Sequence, residues 1–386
     1  MVHFLLFIIY LSFISLGLPD SLLGAAWPSM YGPFGVPVSY AGFISIIISV
    51  GTILSSLQSD RLTRRLGTGK VTALSVATTA VALWGFSVSG SYWQLCLWAI
   101  PYGLGAGSVD VSLNNYVALH YASRHMSWLH CMWGVGASLG PYAMGYTLSG
   151  GLGWHMGYRY IAILQLALTA VLVLTLPLWK RQTDNGSENG RKKAPALRQV
   201  IETPGAKAVM VTFFCYCALE QTAGLWAASF LVLQKGLAAE AAAGFASMFF
   251  IGITIGRALS GFVTFKLSDT QMVRLGLGVI ALGLLVLLAS PGANLALAGL
   301  VLTGLGCAPI YPCLVHAAPA HFGPDRSQAI IGLQTASAYV GTCLMPSLFG
   351  MLIQHLSAAL LPGYLLLLLA LMAAMHERLL KQVSER

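Results

Sequence analysis

The sequence predicts an all-α integral membrane protein with twelve transmembrane helices in two pseudo-symmetric six-helix bundles. Only 9% of the 386 residues are charged and 57% are hydrophobic, against roughly 25% and 45–50% in an average soluble domain. Twelve apolar runs come close to the roughly 20 residues that cross a bilayer as a helix. The third observation is a single long polar segment, residues 180–206, which divides the chain into nearly equal halves.

The apolar runs are separated by short polar breaks. They show no alternating ten-residue pattern typical of a transmembrane barrel, so we expect helices. The first run lacks the basic start of a signal peptide, and Asp20 interrupts the place of a cleavage site, which favours a first span. The expected spans lie near 4–28, 38–58, 69–89, 93–118, 126–150, 157–179, 207–233, 240–265, 272–290, 293–317, 327–353 and 358–376.

Basic residues indicate the orientation of these spans. With the N-terminus inside, eighteen of the 21 Lys and Arg residues fall in cytoplasmic loops, as the positive-inside rule requires. We therefore expect a multi-pass protein of the cytoplasmic (inner) cell membrane with both termini cytoplasmic. The net charge of +9 is then an orientation signal, and no nucleic-acid partner is expected.

The two halves are related by an internal repeat. We expect an N-terminal bundle over 1–179, a cytoplasmic linker over 180–206 and a C-terminal bundle over 207–386. Two related six-span halves are typical of secondary transporters, which bind their solute near mid-membrane. At an offset of 200–201 residues the matches are Asp20 with Glu220, Gly24 with Gly224, Gly51 with Gly252, and Gly103-Leu104-Gly105 with Gly304-Leu305-Gly306.

Four ionisable residues lie inside predicted spans: Asp20, Asp110, Glu220 and Arg257. A charge at the bilayer centre costs about 2.5–3.5 kcal/mol or more, so such residues indicate a functional cavity. Burial favours the neutral form of a carboxyl group, which suits a reversible proton carrier. We expect the three acids to couple transport to protons. The alternative is a buried ion pair that holds helices together.

Polar and aromatic residues near these acids are the expected solute ligands. In the fourth span Gly103, Gly107, Asp110 and Asn114 form one stripe of small and polar residues. The alternative role of Trp27 is that of a residue at the membrane interface. The alternative for Asn114 and His130 is packing or hydrogen bonding between helices. The expected ligands are Trp27, Asn114, His130 and Trp133 in the first half, and Gln221, Tyr311, Gln334 and Tyr339 in the second.

A charged loop after the second span predicts a gate. An acid at a helix end followed by arginines can latch two helices together, although an ordinary positive-inside loop has the same composition. We assign Arg257 to gating as well, with pairing to Glu220 or contact with solute as its alternatives. The loop residues concerned are Asp60, Arg61, Arg64 and Arg65.

These patterns resemble the major facilitator superfamily. The Asp60-Arg61…Arg64-Arg65 run is similar to the family's signature loop between spans two and three, which closes the cytoplasmic side, with Ser56 and Thr63 in place of the usual glycines. Within the family the chain most resembles the fucose–proton symporter branch. That resemblance implies roles in proton coupling and sugar recognition for the acids of spans one and four. It rests on Asp20, Gly103-Leu104-Gly105…Asp110…Asn114, His130…Gly136-Ala137 and Tyr311-Pro312.

The expected function is secondary active transport by alternating access, as proton-coupled symport of a small polar solute such as a monosaccharide. Sodium is the alternative coupling ion. A proton-driven drug or metabolite exporter of the same fold and a non-transporting membrane sensor are the alternative functions. No HExxH or nucleophile–base pattern indicates an enzyme, and the seven cysteines lie in apolar runs. We expect a monomer in the lipid bilayer without cofactor or metal.

Overall fold

A computed structural model describes residues 2–20, 22–37, 40–183, 196–237 and 239–384. All regular secondary structure in these ranges is helical, and they contain no strand. The chain divides into two compact units. Unit 1 comprises Met1–Tyr116 and Leu129–Pro195, and unit 2 comprises Val117–Trp128 and Ala196–Arg386. Of the predicted linker 180–206, residues 184–195 lie outside the described residues.

The helices of the first half follow the order of the apolar runs. Proline and glycine separate several of them, since proline removes a backbone donor and glycine tolerates a positive φ. The helices are α1 Val2–Asp20, α2 Leu22–Ala26, α3 Ala41–Leu66, α4 Thr68–Val88, α5 Tyr92–His120, α6 Ser123–Ser149, α7 Gly153–Leu174 and α8 Leu176–Thr183.

The second half repeats this plan with one additional break. The tenth predicted span is divided between two helices at Ala308 and Pro309. The helices are α9 Leu197–Ile201, α10 Ala206–Lys235, α11 Ala239–Val263, α12 Asp269–Ala289, α13 Ala293–Cys307, α14 Ile310–His316, α15 Ala318–Phe322, α16 Pro324–His355 and α17 Leu361–Ser384.

The described residues contain nine helical stretches that are long and apolar enough to cross a membrane. Helices α5 and α6 are 29 and 27 residues long, but their polar residues keep them outside that set. The all-α membrane class predicted from the sequence is confirmed. The exact number of twelve spans stays a prediction.

The internal repeat is visible as a helix crossing that occurs once in each unit. In unit 1 a Cβ atom on Gly103 would collide with the carbonyl oxygen of Ile48. In unit 2 a Cβ atom on Gly304 would collide with the carbonyl oxygen of Phe249. Small residues allow helix backbones to approach this closely inside a membrane. The glycine matches of the sequence therefore mark equivalent contacts, α3 with α5 and α11 with α13.

The predicted gating loop is helical instead. Helix α3 continues to Leu66, so the expectation of a loop at Asp60–Arg65 is wrong. Arg64 Nε lies 2.9 Å from Asp60 Oδ1, an i,i+4 pair that supports the added turns. The helix ends at Gly67, which has φ 83° and donates its backbone N–H to the carbonyl of Thr63.

Candidate functional site

The site in unit 1 is built around Asp20 at the end of α1. The hydroxyl of Tyr102 donates to Asp20 Oδ1 at 3.1 Å. The indole Nε1 of Trp133 donates to Asp20 Oδ2 at 2.9 Å. Both carboxylate oxygens therefore have a neutral donor, one from α5 and one from α6.

Close packing of α1 on α6 brings Trp133 to Asp20. A Cβ atom on Gly17 would collide with the backbone carbonyl of Trp133, and one on Gly136 would collide with the carbonyl of Ile14. The two backbones are thus in direct contact near the site. Bulkier residues at either glycine would move the indole away from the carboxylate.

A second acid, Asp110, begins a chain of three polar side chains. Asn114 Nδ2 donates to Asp110 Oδ1 at 2.9 Å. His130 Nε2 lies 3.1 Å from Asn114 Oδ1. Asn114 is fully buried and His130 is 6% exposed. The ring of Phe13 packs edge-on against His130 with 5.5 Å between centroids.

The direction of this chain follows from the chemistry of the amide. Because the Asn114 nitrogen donates to a carboxylate, its oxygen is left as the acceptor toward His130. His130 Nε2 must then carry the proton in this arrangement. In this arrangement His130 donates to Asn114, and Asn114 donates to Asp110.

A cavity of about 250 Å³ opens beside Asp20. Tyr102 lines it together with Ser45 and Ser49, and the remaining wall is apolar and aromatic. A few polar groups in a mostly apolar wall are typical of a small-molecule site. The cavity lies within unit 1 and is of a size for a small solute.

Asp20 and Asp110 differ in their charge compensation from Asp60, a third acid of unit 1. Among the described residues of this unit, no basic side chain forms an ion pair with Asp20 or Asp110, whereas Asp60 pairs with Arg64. Asp20 and Asp110 lie close enough for their charges to interact. Two neighbouring carboxyl groups without a counter-charge cannot both ionise without cost.

The equivalent acid in unit 2 has a different environment. Arg257 Nη2 lies 3.7 Å from Glu220 Oε1, and their side chains are 7% and 12% exposed. The buried side chain of Tyr216 lies close to both Arg257 and Glu220. Of the two alternatives for Arg257 in the sequence, the structure therefore shows the pairing with Glu220.

The other residues predicted in the second half differ in burial and in their contacts. Tyr311 packs edge-on against Phe213 with 5.0 Å between ring centroids. Gln334 is fully buried, and its amide makes no hydrogen bond to any residue that the structure describes. Gln221 is exposed, and Tyr339 is partly buried.

Trp27 lies in the core rather than in an open groove. Its side chain is 5% exposed, and its ring packs against Tyr92 with 6.3 Å between centroids. A tryptophan so enclosed offers no free face for a sugar ring in this conformation.

The predicted gating residues lie at the end of α3. Arg64 contacts both Asp60 oxygens, at 2.9 and 3.0 Å. Arg61 donates to Gln58 Oε1 at 3.4 Å, and Arg65 is exposed. Hydroxyl contacts fasten this part of α3 to α5, including Ser59 to Ser112 at 3.2 Å.

Sequence reasoning missed Tyr102, the second donor to Asp20. It also missed Gln165, which donates to the carbonyl of Ser15 at 2.8 Å and accepts from Thr79 at 2.8 Å. These partners are 82 to 150 residues apart in the chain, so only helix packing brings them together. The described residues contain no cluster of His, Cys, Asp and Glu that could hold a metal ion.

The chain belongs to the Major Facilitator Superfamily, whose family model matches residues 9–346. It is also similar to the Saccharomyces cerevisiae protein "Bypass of stop codon protein 6", with 21% identity over 284 residues. That match covers 67% of this chain and 56% of the yeast protein, so the chain spans little more than half of that relative.

Solved structures share the fold over nearly the whole chain. FucP in the outward conformation has a TM-score of 0.79 at 14% identity, over 96% of this chain and 97% of that chain. FucP is described as the E. coli fucose:proton symporter. The proton:xylose symporter XylE has a TM-score of 0.77 at 13% identity, over 98% of this chain and 95% of that chain. Likeness at these identities establishes the fold alone.

Proposed function

We propose that this transporter is a proton-coupled symporter that imports a small polar solute, a monosaccharide, by alternating access. It would act as a monomer in the cytoplasmic membrane with both termini inside. The basic loops support this orientation. The sugar–proton symporters among its structural neighbours are consistent with the proposal.

The observation that carries the proposal is the chain from His130 through Asn114 to Asp110, beside Asp20. Asp110 accepts from the neutral amide of Asn114, and no lysine or arginine of the described part of unit 1 pairs with either acid. Intramembrane carboxyl groups in such surroundings are typical of proton sites in transporters. A proton would remove the charge that an arginine removes at Glu220.

Protonation of Asp110 would reverse the hydrogen bonds of this chain. A protonated carboxyl group donates, so the Asn114 amide would turn its oxygen to Asp110 and its nitrogen to His130. His130 Nε2 would then accept, which requires the other tautomer. One proton thus reorients three side chains and gives the unit two defined states.

Asp20 and its two donors suit a polyhydroxylated solute. Sugar hydroxyls both donate and accept, so they can bind the carboxylate of Asp20 while they accept from Tyr102 or Trp133. The exposed position of Asp20 beside the cavity leaves its oxygens within reach of a solute. The serine hydroxyls of the cavity wall would add further hydrogen bonds.

Uptake into proteoliposomes tests the proposal. A panel of labelled monosaccharides, drugs and metabolites is first screened for thermal stabilisation of the purified protein, since only a ligand of the native state stabilises it. The selected solute should accumulate when the outside is acidified, and a protonophore should abolish that accumulation. Accumulation driven by sodium alone, outward extrusion, or binding without flux would each contradict proton symport.

A further inference from the structure

The connection between α5 and α6 belongs to unit 2, although both helices continue into unit 1. We call Val117–Trp128 the α5–α6 connection. Its aromatic and basic side chains pack on the end of α11. Trp128 lies against Phe262 with 5.6 Å between ring centroids, and a Cβ atom on Gly261 would collide with its indole. Arg124 lies 4.8 Å above the ring of Phe265.

A histidine–aspartate pair fastens the same connection to α12 and α14. His316 Nδ1 lies 2.6 Å from Asp269 Oδ2. Its other nitrogen, Nε2, lies 3.0 Å from the backbone carbonyl oxygen of Tyr121. The hydroxyl of Ser123 also contacts the carboxylate of Asp269. Two groups of the connection thus contact this partly buried pair.

The two bonds of His316 require a particular protonation state. A backbone carbonyl can only accept, so Nε2 must donate to Tyr121. An ionised Asp269 also only accepts, so Nδ1 must donate as well. An imidazole donates from both nitrogens only as the imidazolium cation. Loss of one proton turns one of these bonds into a contact between two acceptors.

Other titratable groups surround the pair. From α14, the thiol of Cys313 interacts with both Asp269 and Ser123. From α15, His321 interacts electrostatically with Asp269. The connection itself carries Arg124 and His125. The side chains of His316 and Asp269 are 19% and 16% exposed, so protons can reach the pair from solvent.

We propose that His316 and Asp269 form a proton-dependent clasp that holds the α5–α6 connection on α12 and α14, within unit 2. The clasp is closed while His316 is doubly protonated and loosens as the pH rises. Its opening would release Val117–Trp128 from α12 and α14. The clasp uses none of the residues of the proposed solute site.

Cys313 reports on the clasp. Its thiol is fully buried against the pair, so a maleimide reaches it only when the clasp opens. We expect His316→Gln to raise the labelling rate of Cys313 at pH 6 by about tenfold or more, because one charge-assisted hydrogen bond is lost. At pH 8.5 the variant and the natural chain should label at similar rates. Mass spectrometry of the full-length protein in lipid nanodiscs resolves the individual cysteines.

Comparison at each pH removes the intrinsic pH dependence of thiol reactivity. Cys307, also fully buried in unit 2, serves as the internal control and should label equally in both proteins. Arg274 lies on α12 like Asp269, so Arg274→Gln is the matched variant. It breaks an exposed pair with Glu377 of α17 and should leave Cys313 protected. In Asp269→Asn, the labelling rate of Cys313 relative to that of Cys307 should be the same at pH 6 and pH 8.5.

Equal labelling of Cys313 in His316→Gln and the natural chain at pH 6 would overturn the proposal. So would a tenfold rise at Cys307, which would indicate general unfolding instead of local release. If His316→Gln does not fold, Ser123→Ala and Asp269→Asn test the same contacts from the partner side. Unchanged protection of Cys313 in both would equally overturn it.

Discussion

Asp20 and Glu220 occupy equivalent positions of an internal repeat, yet their surroundings differ in kind. Asp20 accepts from two neutral donors, Tyr102 and Trp133. Glu220 is paired with the guanidinium of Arg257 at 3.7 Å. One acid is thus hydrogen-bonded beside an open cavity, while the other is half of a buried ion pair.

The difference suggests a division of labour between the units. A carboxylate with a fixed counter-charge gains little from a proton, whereas one without a counter-charge can be neutralised only by a proton or a ligand. We therefore propose that Asp20 and Asp110 carry the solute and the proton. Glu220, a proton site in our sequence prediction, would instead stabilise unit 2 together with Arg257.

The largest expected effect is a difference in the free energy of unfolding between a variant of Glu220 and a variant of Asp20. Glu220→Gln leaves the buried guanidinium without its counter-charge and should lower the free energy of unfolding by about 3–5 kcal/mol. Asp20→Asn keeps a polar group facing two neutral donors and should cost about 1 kcal/mol. Chemical unfolding of the purified variants, followed by tryptophan fluorescence, measures both.

The double variant Glu220→Gln with Arg257→Gln checks the cause of that loss. Removing both charges should recover most of the stability that Glu220→Gln loses, because no unpaired charge remains. Equal losses in Glu220→Gln and Asp20→Asn would show that the two acids have similar environments. That result would remove the basis of the comparison.

A smaller effect tests whether the two units share their helix crossings. Gly103→Ala in unit 1 and Gly304→Ala in unit 2 each place a methyl group against a facing carbonyl oxygen. Each should therefore destabilise the protein by about 1–3 kcal/mol. Gly278→Ala is the control, since nothing lies within 4 Å of the added Cβ atom there. Thermal unfolding that ranks Gly278→Ala with the other two would argue against the repeated crossing.

The smallest effect concerns the donors to Asp20. Tyr102→Phe removes one hydrogen bond and should weaken solute binding by about tenfold. Tyr158→Phe is the matched control, because Tyr158 lines the same cavity but is not one of the donors to Asp20. Binding isotherms of the solute selected by thermal stabilisation measure both. A similar loss in the two variants would point to a general effect on the cavity.

The sequence predicts the fold better than the site because its signals reflect short stretches of the chain, whereas the site depends on contacts between distant residues. Hydropathy and glycine spacing act within one helix, so the spans and the repeat can be predicted locally. The charge at Asp20 is equally visible, but its donors lie 82 and 113 residues away and depend on helix packing. The helical end of α3 was missed because a run of charges indicates a polar surface, without distinguishing a loop from a helix.

The measurement that tests the central claim most directly is solute-induced proton uptake by proteoliposomes at a set pH. Asp110→Asn should abolish proton uptake and gradient-driven accumulation while solute exchange continues, because exchange needs no net proton transfer. The double variant Glu220→Gln with Arg257→Gln should still take up protons with the solute. Proton uptake that persists in Asp110→Asn, or that is lost only in the double variant, would contradict the assignment of the proton to unit 1.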